Sequence, residues 1–246
     1  EYNSGDPVKN IDWKIVAKTE RYYVKRFEEE TNLRCHIILD HSRSMFYGSG
    51  DSTKIDYACR LAAALAWLMV GQKDAAGLVT FNERITSMLP PKAYRGYLGQ
   101  IFRVLAELEP KDSTRLLENL HQIASSIRKR SLIILISDLL DDPARVIEGL
   151  KHFRSQHHEV LVFHITDLQE DKFSFRQETE FVDSETGEKI VVNPWQIRGE
   201  YLSRYSGHIN QLKSGCHQYQ VEYNPVSTAT PLEDLLLRYL LMRKKG

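Results

Sequence analysis

The stretch LRCHIILDHSRS (residues 33–44) joins an apolar run to a carboxylate and two hydroxyls. Residues 33–40 become almost entirely apolar toward their end, as is typical of a strand buried on both faces of a sheet. The run stops at Asp40, and Ser42 and Ser44 follow at every second position. This order predicts a buried strand whose carboxyl end carries a polar turn, at the edge where open α/β sheets bind ligands.

Strand and helix patterns alternate along the rest of the chain. Apolar runs predict further strands, and apolar residues at three- and four-residue spacing predict helices. We predict strands over 19–31, 75–81, 84–89, 131–138, 159–167 and 219–223, and helices over 54–72, 94–108, 115–130, 143–156, 196–214 and 231–245. Such alternation is typical of an α/β fold with a mostly parallel sheet and helices on both faces.

The domain organisation predicted from these patterns is simple. We expect an N-terminal extension over residues 1–30 and one α/β domain over residues 31–246. Two β runs at about 179–195 flank a turn-forming segment and predict an exposed β-hairpin inserted into that domain. The double proline Pro90-Pro91 is expected to end the strand over 84–89.

Composition and charge exclude several classes of function. The 33 Lys and Arg residues equal the 33 Asp and Glu residues, which argues against a general nucleic-acid binder. The longest apolar run, residues 61–70, is shorter than the roughly 20 residues of a membrane span, and no signal peptide is visible. Cys35, Cys59 and Cys216 form no metal or disulfide pattern. We therefore expect a cytoplasmic protein whose cysteines are reduced.

Oxygen-bearing side chains are predicted to meet at one edge of the sheet. Asp138 ends the run 131–138, and Thr114 stands just before a predicted helix. With Asp40, Ser42 and Ser44 they offer hard oxygen ligands of the kind that Mg²⁺ or Mn²⁺ prefers. Because the hydroxyls add no charge, a bound cation would attract a carboxylate from a partner protein. The serines could instead serve only as turn residues, but Thr114 and Asp138 together favour the metal site.

These five positions resemble the metal-ion-dependent adhesion site of the von Willebrand factor A (vWA) domain family. That family has an Asp-x-Ser-x-Ser turn after its first core strand, a Thr before a helix and an Asp ending its fourth strand. Asp40, Ser42, Ser44, Thr114 and Asp138 match this pattern. The resemblance implies a vWA-like, Rossmann-like fold. It also implies metal-dependent binding to an Asp or Glu of a protein partner. One departure is Leu139, where the family often has Gly.

The start of the chain resembles a narrower bacterial family, domain of unknown function 58. The stretch EYNSGDPVKNIDWKIVAKT (1–19) is similar to its signature, and the matching residues are Gly5, Asp6, Ile11, Asp12, Trp13 and Ala17. The hairpin stretch FVDSETGEKIVV is also similar. This resemblance implies a MoxR-type AAA+ ATPase as partner and a role in assembling or activating protein complexes.

An enzymatic function is not expected. The sequence lacks the GxSxG, GxxxxGK[ST] and GxGxxG motifs. One alternative is a metal-assisted phosphohydrolase with Asp40 as nucleophile and Asp138 as metal ligand. Haloacid-dehalogenase-type enzymes have Asp-x-Asp after the strand, however, and here the second position is Ser42. Another alternative is a structural module that binds no metal.

The histidines show no ligand-like pairing in the sequence. We expect the side chain of His41 to point outward and His164 to be a core histidine with a satisfied ring. His157 and His158 are expected to be solvated in a loop.

Overall fold

The computed structural model describes residue 16 and residues 33–109, 115–175, 177–182 and 188–243. The residues from Leu33 onward belong to one compact unit. The predicted extension over 1–30, its signature residues, the predicted strand over 19–31 and Thr114 lie outside the described residues.

A six-stranded sheet forms the centre of this unit, and five of its strands are parallel. Its strands are β1 (Arg34–Asp40), β2 (Ala75–Phe81), β3 (Ile85–Lys92), β4 (Leu132–Ser137), β5 (Glu159–Thr166) and β8 (Glu222–Ser227). They lie in the order β3-β2-β1-β4-β5-β8, and β3 alone runs antiparallel to its neighbour. The predicted α/β class with a mostly parallel sheet is therefore confirmed.

Helices cover both faces of the sheet. They are α1 (Lys54–Gly71), α2 (Leu98–Ala106), α3 (Leu116–Ser126), α4 (Pro143–Ser155), α5 (Leu168–Lys172), α6 (Pro194–Gln218) and α7 (Leu232–Arg243). Residues of α1, α2 and α7 pack into one apolar cluster, and residues of α3, α4 and α6 pack into the other. Alternate residues of β1 divide between the two clusters, because successive side chains of a strand point to opposite faces.

The two central strands bring their carboxyl ends together. β1 lies between β2 and β4, and Leu39 pairs with Ile136 in parallel register. The chain leaves β1 toward β2 on one side and returns to β4 on the other. This is the switch point of an open α/β sheet, where ligands bind. Asp40 and Asp138, the predicted carboxylates, stand on either side of it.

The edge strand β3 corrects the prediction that Pro90 and Pro91 end the hairpin strand. The strand continues through both prolines, and Lys92 pairs with Ala76. Proline is tolerated here because an edge strand has one side that need not donate to the sheet. The register shifts between Ala76 and Leu78, which accommodates the prolines as a bulge.

The bounds of α3, of α6 and of the last strand also differ from those predicted. Helix α3 ends at Ser126, because Ile127 adopts an extended backbone and turns its side chain into the core. Helix α6 begins earlier, at Pro194, where the Asn193 side chain caps it by accepting from the Trp195 amide. It also continues to Gln218, so the last strand falls at 222–227 and not at 219–223.

The predicted hairpin is present as two short antiparallel strands. They are β6 (Thr179–Val182) and β7 (Lys189–Val192), and Phe181 pairs with Ile190. The turn over 183–187 lies outside the described residues. Val182, Ile190 and Val191 are each more than half exposed, so the hairpin leaves apolar side chains open to solvent.

Candidate metal centre

Asp40 is fixed at the carboxyl end of β1 by donors on both carboxylate oxygens. Its Oδ1 accepts from the backbone amide of Ser42 at 2.8 Å, and its Oδ2 accepts from the hydroxyl of Ser137 at 2.7 Å. Asp40 is 1% exposed. A buried carboxylate held by two donors has one orientation, and this is what a metal ligand requires.

The two serines of the turn lie close together. Residues 43–46 form one turn of 3-10 helix, which brings the Ser42 Oγ to 3.2 Å from the Ser44 Oγ. Ser42 is buried and Ser44 is half-buried. The pair therefore offers one oxygen from the interior and one from the rim.

A fully buried lysine approaches the second carboxylate. The Nζ of Lys54, the first residue of α1, donates to Asp138 Oδ2 at 2.8 Å and to Glu170 Oε1 at 2.7 Å. Lys54 is 0% exposed and Asp138 is 3% exposed. This buried ion pair places the Lys54 ammonium beside Asp138, which is one of the predicted metal ligands.

Negative charge exceeds positive charge in this group of residues. Burial, and after it the charge of Asp138, raises the pKa of Asp40 to about 6. Burial also raises the pKa of Glu170, and the Lys54 ammonium reverses only part of that rise. Burial alone would lower the pKa of Lys54, but the carboxylates of Asp138 and Glu170 outweigh it and raise that pKa. Lys54 can neutralise one of the three carboxylates, which leaves two negative charges at the edge.

The helix that follows Thr114 begins at the same edge of the sheet. The backbone amide of Arg115 donates to the carbonyl of Asn82, which comes directly after β2, at 3.4 Å. The side-chain amide of Asn119 donates to the same carbonyl at 2.7 Å. The start of α3 is thus held beside the end of β2. Thr114 itself lies outside the described residues, so its place in the site stays a prediction.

Leu139, where the resemblance to vWA domains implied a glycine, has a strained backbone. Its φ is 50°, in the left-handed region that disfavours residues with a Cβ. Its side chain is 0% exposed and belongs to the apolar cluster beneath the sheet. Burial of the leucine offsets the backbone strain, so the turn after Asp138 keeps this conformation without glycine.

Two of the expectations for histidines were wrong. His41 is 3% exposed, with Nε2 at 2.8 Å from the hydroxyl of Thr86, so it points inward and not outward. His158 is 1% exposed and its Nδ1 accepts from the Ser131 amide at 3.2 Å. His164 is a core histidine as expected, with Nδ1 at 2.5 Å from the hydroxyl of Tyr223.

Sequence reasoning missed Ser137, Lys54 and Glu170. Ser137 could have been found from strand register, because it stands beside Asp40 once β1 and β4 are parallel neighbours. Lys54 carried another signal: a cation in the first turn of a helix opposes the helix dipole. The lysine follows the Thr53 cap at the positive end of α1 and is stabilised there by two carboxylates. Glu170 had no comparable signal, since it also serves as an ordinary capping-box residue of α5.

The sheet, its one antiparallel edge strand and its helix layers define an α/β domain of the vWA-like kind. The chain belongs to the family of proteins of unknown function DUF58, whose model matches residues 1–211.

The chain is similar to one sequence relative and to two solved structures. The uncharacterized protein Rv1480 of Mycobacterium tuberculosis (strain H37Rv) is 24% identical over 213 residues, which are 84% of this chain. The chain spans 66% of the length of that relative.

Crystal structures of BatB from Bacteroides thetaiotaomicron and of an aerotolerance-related membrane protein from Bacteroides fragilis also match. The first has a TM-score of 0.57 at 16% identity and covers 87% of this chain and 100% of its own. The second has a TM-score of 0.53 at 19% identity, with 80% and 92% covered.

None of the helices among the described residues has the length and apolar character needed to span a bilayer.

Proposed function

We propose that this protein is a metal-dependent protein-interaction module without enzymatic activity. Mg²⁺ or Mn²⁺ would be held by Asp40, Ser42, Ser44 and Asp138, with Thr114 as the predicted fifth ligand. A partner's Asp or Glu would complete the coordination. The observation that carries the proposal is the meeting of Asp40 and Asp138 at the switch point of the sheet, beside a turn of two hydroxyls.

The residues fit a divalent cation in both chemistry and charge. Carboxylate and hydroxyl oxygens suit Mg²⁺ and Mn²⁺, and the two negative charges that Lys54 leaves unbalanced equal the charge of one such ion. Within the described part of the chain, no group of three or more His, Cys, Asp or Glu side chains is placed to hold a metal. The ion would therefore rest on two carboxylates, on hydroxyls and on water, as Mg²⁺ commonly does.

The surrounding contacts favour binding over catalysis. Asp40 is constrained by donors on both oxygens, which suits a ligand and hinders a nucleophile that must rotate toward a substrate. The second position of the turn is Ser42, whose hydroxyl cannot act as the second carboxylate of a phosphohydrolase. The bound cation would supply a coordination position for a carboxylate from outside. The buried side chains of Asp40 and Asp138 would orient that position and limit the access of water from the interior of the protein.

A MoxR-type AAA+ ATPase is the partner that we propose, in the assembly or activation of protein complexes. The support is membership of the DUF58 family and the resemblance described above. We further propose that the module works in the cytoplasm, because an odd count of three cysteines without a CxxC pair fits a reducing compartment. Because the chain spans only part of its longer relative, these statements concern the module alone.

Isothermal titration of Mg²⁺ and Mn²⁺ into metal-free protein tests the site. We expect binding by the wild type, and its loss in Asp40→Ala and in Ser42→Ala. Asp234→Ala is the matched control, because Asp234 is an exposed carboxylate on α7. The thermal unfolding of each variant shows whether the fold survives.

A pull-down with the purified ATPase tests the partner. We expect capture in 5 mM MgCl₂, none in EDTA and none by Asp40→Ala. Equal capture with Mg²⁺ and with EDTA would contradict metal dependence. Titrations that show no binding at millimolar metal, followed by capture that ignores Asp40→Ala, would overturn the proposed function as a whole.

A further inference from the structure

A cavity of about 380 Å³ opens directly beside the serine turn. Ser44 and Glu170, both residues of the candidate metal centre, line it together with Tyr47. Its volume is at the lower end of the range of about 300–1,000 Å³ for binding pockets, so it suits one large side chain. Because Ser44 belongs to both, a ligand bound at the candidate metal centre would lie next to this cavity.

Aromatic rings form the opposite wall of the cavity. The ring of Phe173 stacks on that of Phe181, with centroids 5.9 Å apart and 8° between the planes. Tyr201 lies 4.4 Å from Phe173, and Phe175 lies 5.1 Å from both Phe173 and Phe181. Three rings packed against Phe173 give a wall that exists before any ligand arrives, and this lowers the entropy lost on binding.

The wall is built at a strained position and by the inserted hairpin. Phe173 ends α5 with φ 45° and ψ 54°, a left-handed conformation that is rare for a bulky residue. An isolated two-stranded hairpin is barely stable in water. Strand β6 gains its support by placing Phe181 against Phe173 and Phe175. The hairpin and the strained Phe173 thus together form the apolar wall of the cavity.

Three charged side chains line the cavity, and two of them, Glu170 and Glu180, are acids paired with Lys54 and Lys189. Arg43, between the two serines of the turn, is exposed and lines the cavity. A carboxylate that approached the metal edge would lie beside its guanidinium. Leu140, two residues after Asp138, is 50% exposed on the cavity wall and adds apolar surface at the same place. The cation of Arg43 and the apolar surface of Leu140 therefore both line the same cavity.

We propose that this cavity binds an aromatic side chain that lies next to the metal-bound acidic residue of the partner. The partner segment would thus carry an Asp or Glu with a Phe, Tyr or Trp as its immediate neighbour in sequence. This inference rests on the proposed function, because the acidic residue is the one that would complete the metal site. The aromatic pocket would give the protein a preference for acidic segments that carry a neighbouring aromatic residue.

Four short peptides test the proposal by competition and fluorescence anisotropy in 5 mM MgCl₂. They are blocked hexapeptides of glycine with Glu-Phe, Phe-Glu, Glu-Ala or Gln-Phe at the centre. We expect one of the first two to bind at least about tenfold more tightly than Glu-Ala, as burial of one aromatic ring allows. Gln-Phe should lose most of its binding, and EDTA should abolish that of Glu-Phe or Phe-Glu.

Leu140→Ser should reduce the preference for the aromatic peptide at least threefold. Leu237→Ser is the matched control, because Leu237 is 58% exposed on α7 and does not line the cavity. Equal, Mg²⁺-dependent binding of the Phe and Ala peptides would overturn the aromatic pocket and leave the metal function standing. Aromatic peptides that bind equally in EDTA and with Gln in place of Glu would overturn the joint site and the metal function together. No binding at 5 mM peptide, by protein that binds Mg²⁺ in titration, would overturn the pocket.

Discussion

Replacement of Lys54 by methionine isolates the internal cation of the candidate site. Methionine keeps the apolar stem and removes the ammonium that donates at 2.8 Å to Asp138 and at 2.7 Å to Glu170. Removal of one partner from a buried ion pair costs about 3–5 kcal/mol, because the remaining charge is left buried and unpaired. We therefore expect Lys54→Met to lower the free energy of unfolding by about that amount in EDTA.

The same variant should bind a divalent cation more tightly. Two unit charges about 4 Å apart interact by about 4 kcal/mol at an effective dielectric constant of about 20. Loss of the repelling ammonium should therefore raise Mg²⁺ affinity at least about tenfold, which is a change of about 1.4 kcal/mol. Addition of Mg²⁺ should then stabilise Lys54→Met more than it stabilises the wild type.

Urea unfolding followed by circular dichroism, in EDTA and in 10 mM MgCl₂, measures both effects. Lys213→Met is the control, since Lys213 is exposed on α6 and its loss should change stability by less than about 0.5 kcal/mol. Lys54→Met combined with Glu170→Gln should recover part of the loss, because one of the unpaired carboxylates is removed. A loss below about 1 kcal/mol in EDTA would refute the view that Lys54 compensates buried charge. An unchanged response to Mg²⁺ would refute its place beside the metal.

Other predictions follow from strain, burial and close packing. Leu139→Gly should be no more destabilising than Leu139→Ala in urea unfolding, because glycine relieves the left-handed strain. Leu135 is buried in strand β4 with ordinary backbone angles, so Leu135→Gly should be more destabilising than Leu135→Ala by about 1 kcal/mol. If Gly is also more destabilising than Ala at position 139, the backbone of Leu139 is not strained. Burial, then the charges of His158 and Arg34, lowers the pKa of His36 to about 4. The unfolded chain therefore takes up this proton first, and stability falls as the pH drops from about 6.5 to 4. His36→Gln should remove about 2 kcal/mol of that fall between pH 7 and pH 4.5, whereas identical pH slopes would exclude this role. Gly77→Ala should lower the melting temperature, because its Cβ would meet Leu89 O at 2.6 Å and Pro91 N at 2.7 Å. Gly99→Ala, with open space on helix α2, should raise it, and equal shifts would contradict the close packing at β3.

The parts of the fold that could be predicted are those with local signals. The strands over 75–81 and 159–166 are buried along nearly their whole length, so their apolar runs coincide with the elements. The predicted bounds were wrong where contacts with a neighbouring strand or helix decide where an element ends. Pro90 and Pro91 read as a strand end, yet β2 accepts them as a bulged edge. The start of β8 was predicted too early because α6 holds the chain in helix up to Gln218.

The candidate site divides in the same way. Asp40 and the two serines lie within five residues, and Asp138 ends the most strand-like run of the chain, so periodicity and topology were sufficient to place them at one edge of the sheet. The contacts of Lys54 span 84 residues to Asp138 and 116 residues to Glu170. No spacing in the sequence encodes contacts of that length. They arise only once α1 and α5 both begin at the carboxyl edge of the sheet.

The Lys54 ammonium beside the proposed divalent-metal site would have a consequence for how the proposed module is regulated. A site made only of carboxylates would repel itself until metal arrived, and its fold would depend on the ion. Here Lys54 neutralises one charge permanently, so the edge can keep its shape while metal-free. The same positive charge lowers the gain from binding a cation. Metal affinity should therefore be weak in the isolated module and should rise when a partner carboxylate adds a further negative charge. In that arrangement metal and partner bind cooperatively, each by the same factor on the other.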